Sequence, residues 1–291
     1  MVMGIRVKVA ATTATAVLVG LGVVGSAVPA GAVSTPAGNN SSNEDVLLVH
    51  GYDPVWEAKF DCNDYFKDIR KDLKDYRWKG KVRGVAFYKG DWNCDFRIAS
   101  GDRNTGLKDL GKKLANKIYK DYTAKGKSVD LVGHSMGGLI IRAALTGVAK
   151  KEAGFPKKLF VEDVVTLGAP HAGTNWGWGH SYQQTKDMRE KSSLIKWLSK
   201  NPQSTQPTDW TAIGSDADAI VSESSATAGG FKHWVRYQNL PGADDHAALK
   251  SVRTGTHKLK YRNSPSAATG WKTAGSPAAW TTSALFHYTK W

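Results

Sequence analysis

The sequence predicts an α/β fold: a mainly parallel central sheet with helices on both faces. Short continuous apolar runs, the mark of strands buried on both sides, alternate with stretches of helical period. The chain is also long enough to cover such a sheet, with 291 residues that are 41% hydrophobic and 23% charged. That composition excludes disordered, collagen-like and coiled-coil classes, and two cysteines exclude a disulfide-dense miniprotein.

Taken in order, Arg6 and Lys8 precede an apolar run from Val9 to Val28 that closes on Ala30-Gly31-Ala32. This reads as a secretory signal peptide over residues 1–32. Thr12, Thr13, Thr15 and several glycines dilute the run, which argues against a retained membrane anchor. The mature chain is therefore expected to be secreted and soluble, and a monomer. Residues 33–44, rich in Ser, Asn, Gly and Pro, read as a flexible lead-in.

Val46 to Val49 is a short apolar strand stopped by His50-Gly51. Tyr65 to Tyr76 has helical spacing through Phe66, Ile69 and Leu73, and Val82 to Tyr88 reads as a strand. Thr105 to Tyr122 repeats the helical pattern through Leu107, Leu110, Leu114 and Ile118. Val129 to Val132 is a strand and Leu139 to Val148 a helix. Val161 to Leu167, Thr211 to Ser215 and Trp234 to Gln238 are further strands.

Residues 172–209 break this rhythm with Trp176, Trp178, Pro202 and Pro207 around an amphipathic stretch, Met188 to Leu198. They read as a lid-like insertion above the sheet, within a catalytic domain over residues 45–255. Residues 256–291 turn polar, with scattered aromatics at Trp271, Trp280, Phe286, Tyr288 and Trp291, and are expected to pack on the same domain as an extension.

The formal net charge is +14, so the surface is drawn to anionic polymers or lipid head groups. Lysines interleaved with aspartates over residues 67–81 and 108–127 fit the solvated faces of helices, and no nucleic-acid module signature is present. Cys62 and Cys94 are an even pair in an exported chain and are expected to form a disulfide. A metal site is disfavoured because neither cysteine has a second ligand at suitable spacing.

Gly133-His134-Ser135-Met136-Gly137 sits where the strand Val129–Val132 meets the helix beginning near Leu139. Small flanking residues permit a strained serine backbone there, which exposes the hydroxyl at a helix N-terminus. With Val49-His50-Gly51-Tyr52 after the first strand and Leu167-Gly168-Ala169-Pro170-His171-Ala172-Gly173-Thr174 after a later one, the chain resembles the α/β-hydrolase lipases and esterases, particularly secreted bacterial ones. The resemblance spans about residues 45–250 and is absent from the C-terminal tail.

The resemblance implies an α/β-hydrolase fold and a Ser-acid-His order along the chain. Within that order, Asp216 and Asp218 follow the strand Thr211–Ser215, and Asp218-Ala219-Ile220-Val221 fits the family pattern of the acid better. Among the later histidines, His246 follows a strand at suitable distance, with His257 in reserve. The oxyanion donors implied are the backbone N–H groups of Tyr52 and Met136. No metal or organic cofactor is needed for such a mechanism, and the substrate implied is an ester or lipid. Trp176, Trp178 and Trp197 are candidates for acyl-chain contact, against an ordinary helix burying its apolar face. An acyltransferase on the same triad, or a non-catalytic protein holding an anionic polymer or lipid, are the competing functions.

Overall fold

The computed structural model describes residues 34–54, 59–177 and 179–289, so the signal peptide expected at 1–32 lies outside the described residues. The strands are β1 (Asp45–Val49), β2 (Val82–Tyr88), β3 (Phe96–Gly101), β4 (Val129–His134), β5 (Val161–Leu167), β6 (Asp209–Ser215), β7 (His233–Tyr237), β8 (Thr256–Asn263) and β9 (Lys272–Gly275). They form one sheet in the order β3-β2-β1-β4-β5-β6-β7-β8-β9. Pairing is parallel from β3 through β7 and antiparallel for β8 and β9. The sheet is thus mainly parallel, as the alternating pattern predicts.

The two-residue period of the strands divides the apolar residues between two cores. Leu47, Val49, Val85, Phe87 and Leu131 face one side, where α3 (Leu107–Asp121) and α4 (Met136–Ala149) cover them. Val46, Leu48, Val132, Val165 and Ile213 face the other, against α2 (Lys67–Asp75), α8 (Asp245–Ser251) and α9 (Pro277–Phe286). Each large side chain withdrawn from water in this way contributes about 1.5–3 kcal/mol. A short helix α1 (Cys62–Tyr65) precedes α2, and its Cys62 is bonded to Cys94 in the loop before β3.

The insertion at 172–209 holds two short helices, α5 (Gln183–Met188) and α6 (Ser193–Trp197), rather than one amphipathic stretch. Leu194 and Leu198 are buried in the first core, so part of the segment serves as ordinary packing. A further short helix, α7 (Glu223–Ala226), follows β6. The lead-in is held in place instead of trailing: the Ser42 carbonyl accepts from the amides of Lys79 and Gly80, and the Asn39 amide donates to Glu162. The extension after residue 255 supplies β8, β9 and α9, which continue the sheet and cap its second face. Among the described residues no helix is long and apolar enough to cross a membrane.

Candidate active site

The site begins at the C-terminal end of β4, where Ser135 links the strand to α4 with φ of 55°. That backbone region is costly for a residue with a side chain and projects the serine out of the turn. It is held by the Ser135 amide, which donates to the Leu167 carbonyl of β5 at 2.8 Å. Two glycines make the turn sterically feasible. A Cβ on Gly133 would fall 2.6 Å from the Gly138 nitrogen, and one on Gly137 would fall 2.1 Å from the Val49 carbonyl oxygen.

Ser135 Oγ lies 2.9 Å from His246 Nε2, and His246 Nδ1 lies 2.8 Å from Asp218 Oδ2. The carboxylate only accepts, so Nδ1 carries the proton and Nε2 is the lone pair facing the serine hydroxyl. Asp218 is itself fixed, because its other oxygen accepts the amides of Ile220 and Val221 at 2.8 and 2.9 Å. His246 stands in the first turn of α8, whose cap Asp244 accepts the His246 amide at 2.9 Å. Asp216, two residues before Asp218, is exposed, and His257 in β8 turns its Nε2 to the Thr254 carbonyl. The structure therefore brings together Ser135, His246 and Asp218, and leaves both reserves apart.

Behind the serine runs a hydrogen-bond chain whose direction is forced by its two ends. His134 Nε2 faces the His246 backbone carbonyl at 2.8 Å and must donate to it. Nδ1 is then the acceptor, so Tyr65 Oη, 2.6 Å away, donates to it while accepting the Gly51 amide at 3.1 Å. Burial, reinforced by the nearby His246 imidazole and the Lys250 charge, holds the His134 imidazole well below its ordinary pKa, which keeps the ring neutral as the chain requires. The loop after β1, the elbow and the base are thereby tied to one another. His50 anchors the same loop from the other side, with Nε2 3.0 Å from Asp91 and its ring stacked on Phe87.

Met136 opens α4, whose first-turn amides have no partner four residues earlier. Tyr52 follows His50-Gly51 and walls a cleft of about 160 Å³ together with Ser135, His246, Trp176, Met188, Ile220 and Val221. Trp176 meets Tyr52 edge-on at 6.2 Å. Trp178 lies outside the described residues. Trp197 is elsewhere, in α6, with its indole N–H donating to Glu152 at 3.0 Å and Lys108 over its ring. Its place is fixed by that carboxylate and by packing on the first core, which an amphipathic pattern alone does not distinguish from cleft contact. Ile220 and Val221 belong to the sequence pattern that marks Asp218, but that pattern does not place them on the cleft, and no local pattern marks Tyr65.

A family model described as a PGAP1-like alpha/beta domain matches residues 42–217. The match includes the elbow and stops one residue short of Asp218. A GPI inositol-deacylase of Aspergillus fumigatus is 35% identical over 166 residues, 52% of this chain and 14% of that one. Lipase 1 of Staphylococcus aureus is 27% identical over 175 residues, 47% of this chain and 25% of that one. The chain thus spans a quarter or less of the length of these curated relatives. A structural comparison finds the mature form of a Bacillus licheniformis lipase at 18% identity and a TM-score of 0.47, covering 74% of this chain and 90% of that one. Because the family match extends over well more than half of its residues, the chain belongs to the PGAP1-like alpha/beta domain family, of the lipase and esterase type within the α/β-hydrolase superfamily.

Proposed function

We propose that the protein is a secreted serine hydrolase that cleaves carboxylic esters through an acyl-enzyme on Ser135. The observation that carries this reading is the hydrogen-bonded line from Ser135 Oγ through His246 to Asp218, opening on an apolar cleft. Ser135 attacks the ester carbonyl while His246 Nε2 takes its proton, and Asp218 holds the tautomer and stabilises the imidazolium. The amides of Met136 and Tyr52 receive the oxyanion, where one donor is worth about 10²–10³ in kcat. His246 then protonates the departing alcohol. Water, deprotonated by the same histidine, attacks the acyl-enzyme and frees the acid and Ser135.

The names of the relatives, a GPI inositol-deacylase and a lipase, favour an acyl ester as the bond cleaved. Tyr52, Trp176, Met188, Ile220 and Val221 suit the acyl chain, each buried methylene adding about 0.8 kcal/mol. Export is supported by the charged and apolar N-terminal pattern, and the net charge favours anionic interfaces. The test is turnover of p-nitrophenyl esters of graded chain length, with labelling by a serine-directed phosphonate. One label per chain on Ser135 and kcat/KM rising with chain length until the cleft fills are expected. A protein that takes no label and turns over no ester would be a binding protein on this fold.

A further inference from the structure

Arg103, in the loop between β3 and α3, is a buried cation to which no described residue supplies a counterion. It is 5% exposed, and its Nε and Nη2 are enclosed with no hydrogen-bond partner. Among the described residues no carboxylate lies within ion-pair distance of it; Asp53, in the loop after β1, accepts the Lys59 amide instead. The guanidinium is flanked by rings, 5.1 Å from the centroid of Tyr182 and 6.0 Å from that of Tyr52. Such contacts offset only part of the cost of taking a charge out of water.

This placement is built into the fold. The Arg103 carbonyl accepts the Gln184 amide at 3.0 Å, and Gln184 Nε2 donates to the carbonyls of Asp102 and Thr105 at 3.0 and 3.2 Å. Gln184 is fully buried and is itself fixed by the Tyr88 hydroxyl at 2.5 Å. The backbone on both sides of Arg103 is thus pinned to α5. Arg103 lines a second cleft, of about 390 Å³, with Pro54, His180, Ser181 and Tyr182. Pro54 also borders the cleft at Ser135, and His180 stacks on Trp176 of that cleft at 6.2 Å. The two clefts adjoin.

We propose that Arg103 is the anchor of an anion subsite, and that the acyl ester cleaved at Ser135 carries a phosphate in its alcohol portion that seats against this guanidinium. The guanidinium fork matches two oxygens of a phosphate, and a low-dielectric wall of rings strengthens the attraction. This deepens the ester-hydrolase reading and rests on it for the identity of the bond cleaved.

The test is calorimetric binding to the mature protein carrying Ser135→Ala, which does not turn its ligands over. The probes are dihexanoyl phosphatidic acid, dihexanoylglycerol and inorganic phosphate. The phosphatidic acid should bind at least about tenfold more tightly than the uncharged diacylglycerol, as a charge-assisted pair implies. Arg103→Gln should erase that preference and Arg103→Lys retain part of it. Inorganic phosphate should compete with the phosphatidic acid. Equal affinity for the two lipids would overturn the proposal and requires no change at Arg103, so a misfolded variant cannot obscure it. Phosphate that binds without displacing the lipid would also overturn it. Turnover of uncharged p-nitrophenyl butyrate by the wild-type protein tests the hydrolase reading separately. Discriminating lipid binding without such turnover would remove that reading and leave the anion subsite in place.

Discussion

The hydroxyl of Tyr65 meets both the Gly51 amide and His134, and therefore couples the loop after β1 to the elbow and, through His134, to His246. Tyr65→Phe leaves a buried amide and a ring nitrogen unpaired, a loss of about 1–3 kcal/mol in stability. We expect a folded protein with kcat lowered about tenfold and KM little changed, because positioning rather than substrate contact is lost. Unchanged kcat in steady-state assays would remove the chain from the mechanism. Asp218→Asn should lower turnover by about 10⁴ through the wrong tautomer of His246, while Asp216→Asn, on an exposed residue, should have little effect. Equal losses would contradict the geometry. The spacing around Ser135 announces a strand-to-helix turn, so the serine is legible in the sequence. Tyr65 and Arg103 are not, since a hydrogen bond across 69 residues and a buried guanidinium with no counterion among the described residues exist only once the chain has folded.

At the scale of elements, the elbow and the disulfide bear separate loads. Gly137→Ala would drive a Cβ into the Val49 carbonyl oxygen and must shift α4 away from β1. Loss of cooperative melting, or a fall of several degrees, is expected by calorimetry, and a wild-type melting temperature would contradict the close approach. The Cys62–Cys94 bond closes a loop with a sequence separation of 32, which loop-closure entropy values at about 4 kcal/mol. Reduction should therefore lower the melting temperature markedly; mass spectrometry of the unreduced protein checks the linkage itself. The strands β1, β2 and β4 to β6 are buried on both faces over most of their length and stand out in the sequence by their apolar runs, while β7 alternates buried and half-buried residues. By contrast β3, β8 and β9 lie at or near the sheet edges with half-exposed polar residues, so their strand character rests on partners rather than on pattern.

Across the whole molecule, the ends of the parallel strands divide their tasks, with the cleft at the C-terminal ends and a buried acid cluster at the N-terminal ends. Burial and the charge of Glu44 raise Glu162 to about 7, and burial with neighbouring carboxylates raises Asp130 and Asp163 well above the ordinary range. Folded Glu162 keeps its proton where the unfolded chain has lost it, so this group's stability contribution falls as pH rises from its unfolded value of 4.5 to about 7. His134 and His171, buried and held neutral, act in the opposite direction below their ordinary value of 6.5. The difference between Glu162→Gln and wild type isolates the acid: the variant should gain a few degrees of melting temperature relative to wild type between about pH 5 and pH 8. A constant offset would contradict it. The central claim, that Ser135, His246 and Asp218 act as one catalytic unit, is tested most directly by kcat/KM for p-nitrophenyl butyrate in the mature protein and its variants. Ser135→Ala and His246→Ala should each lose at least about 10⁴-fold, and the double variant little more than either. Near wild-type turnover by folded Ser135→Ala, or losses that multiply in the double variant, would contradict the account.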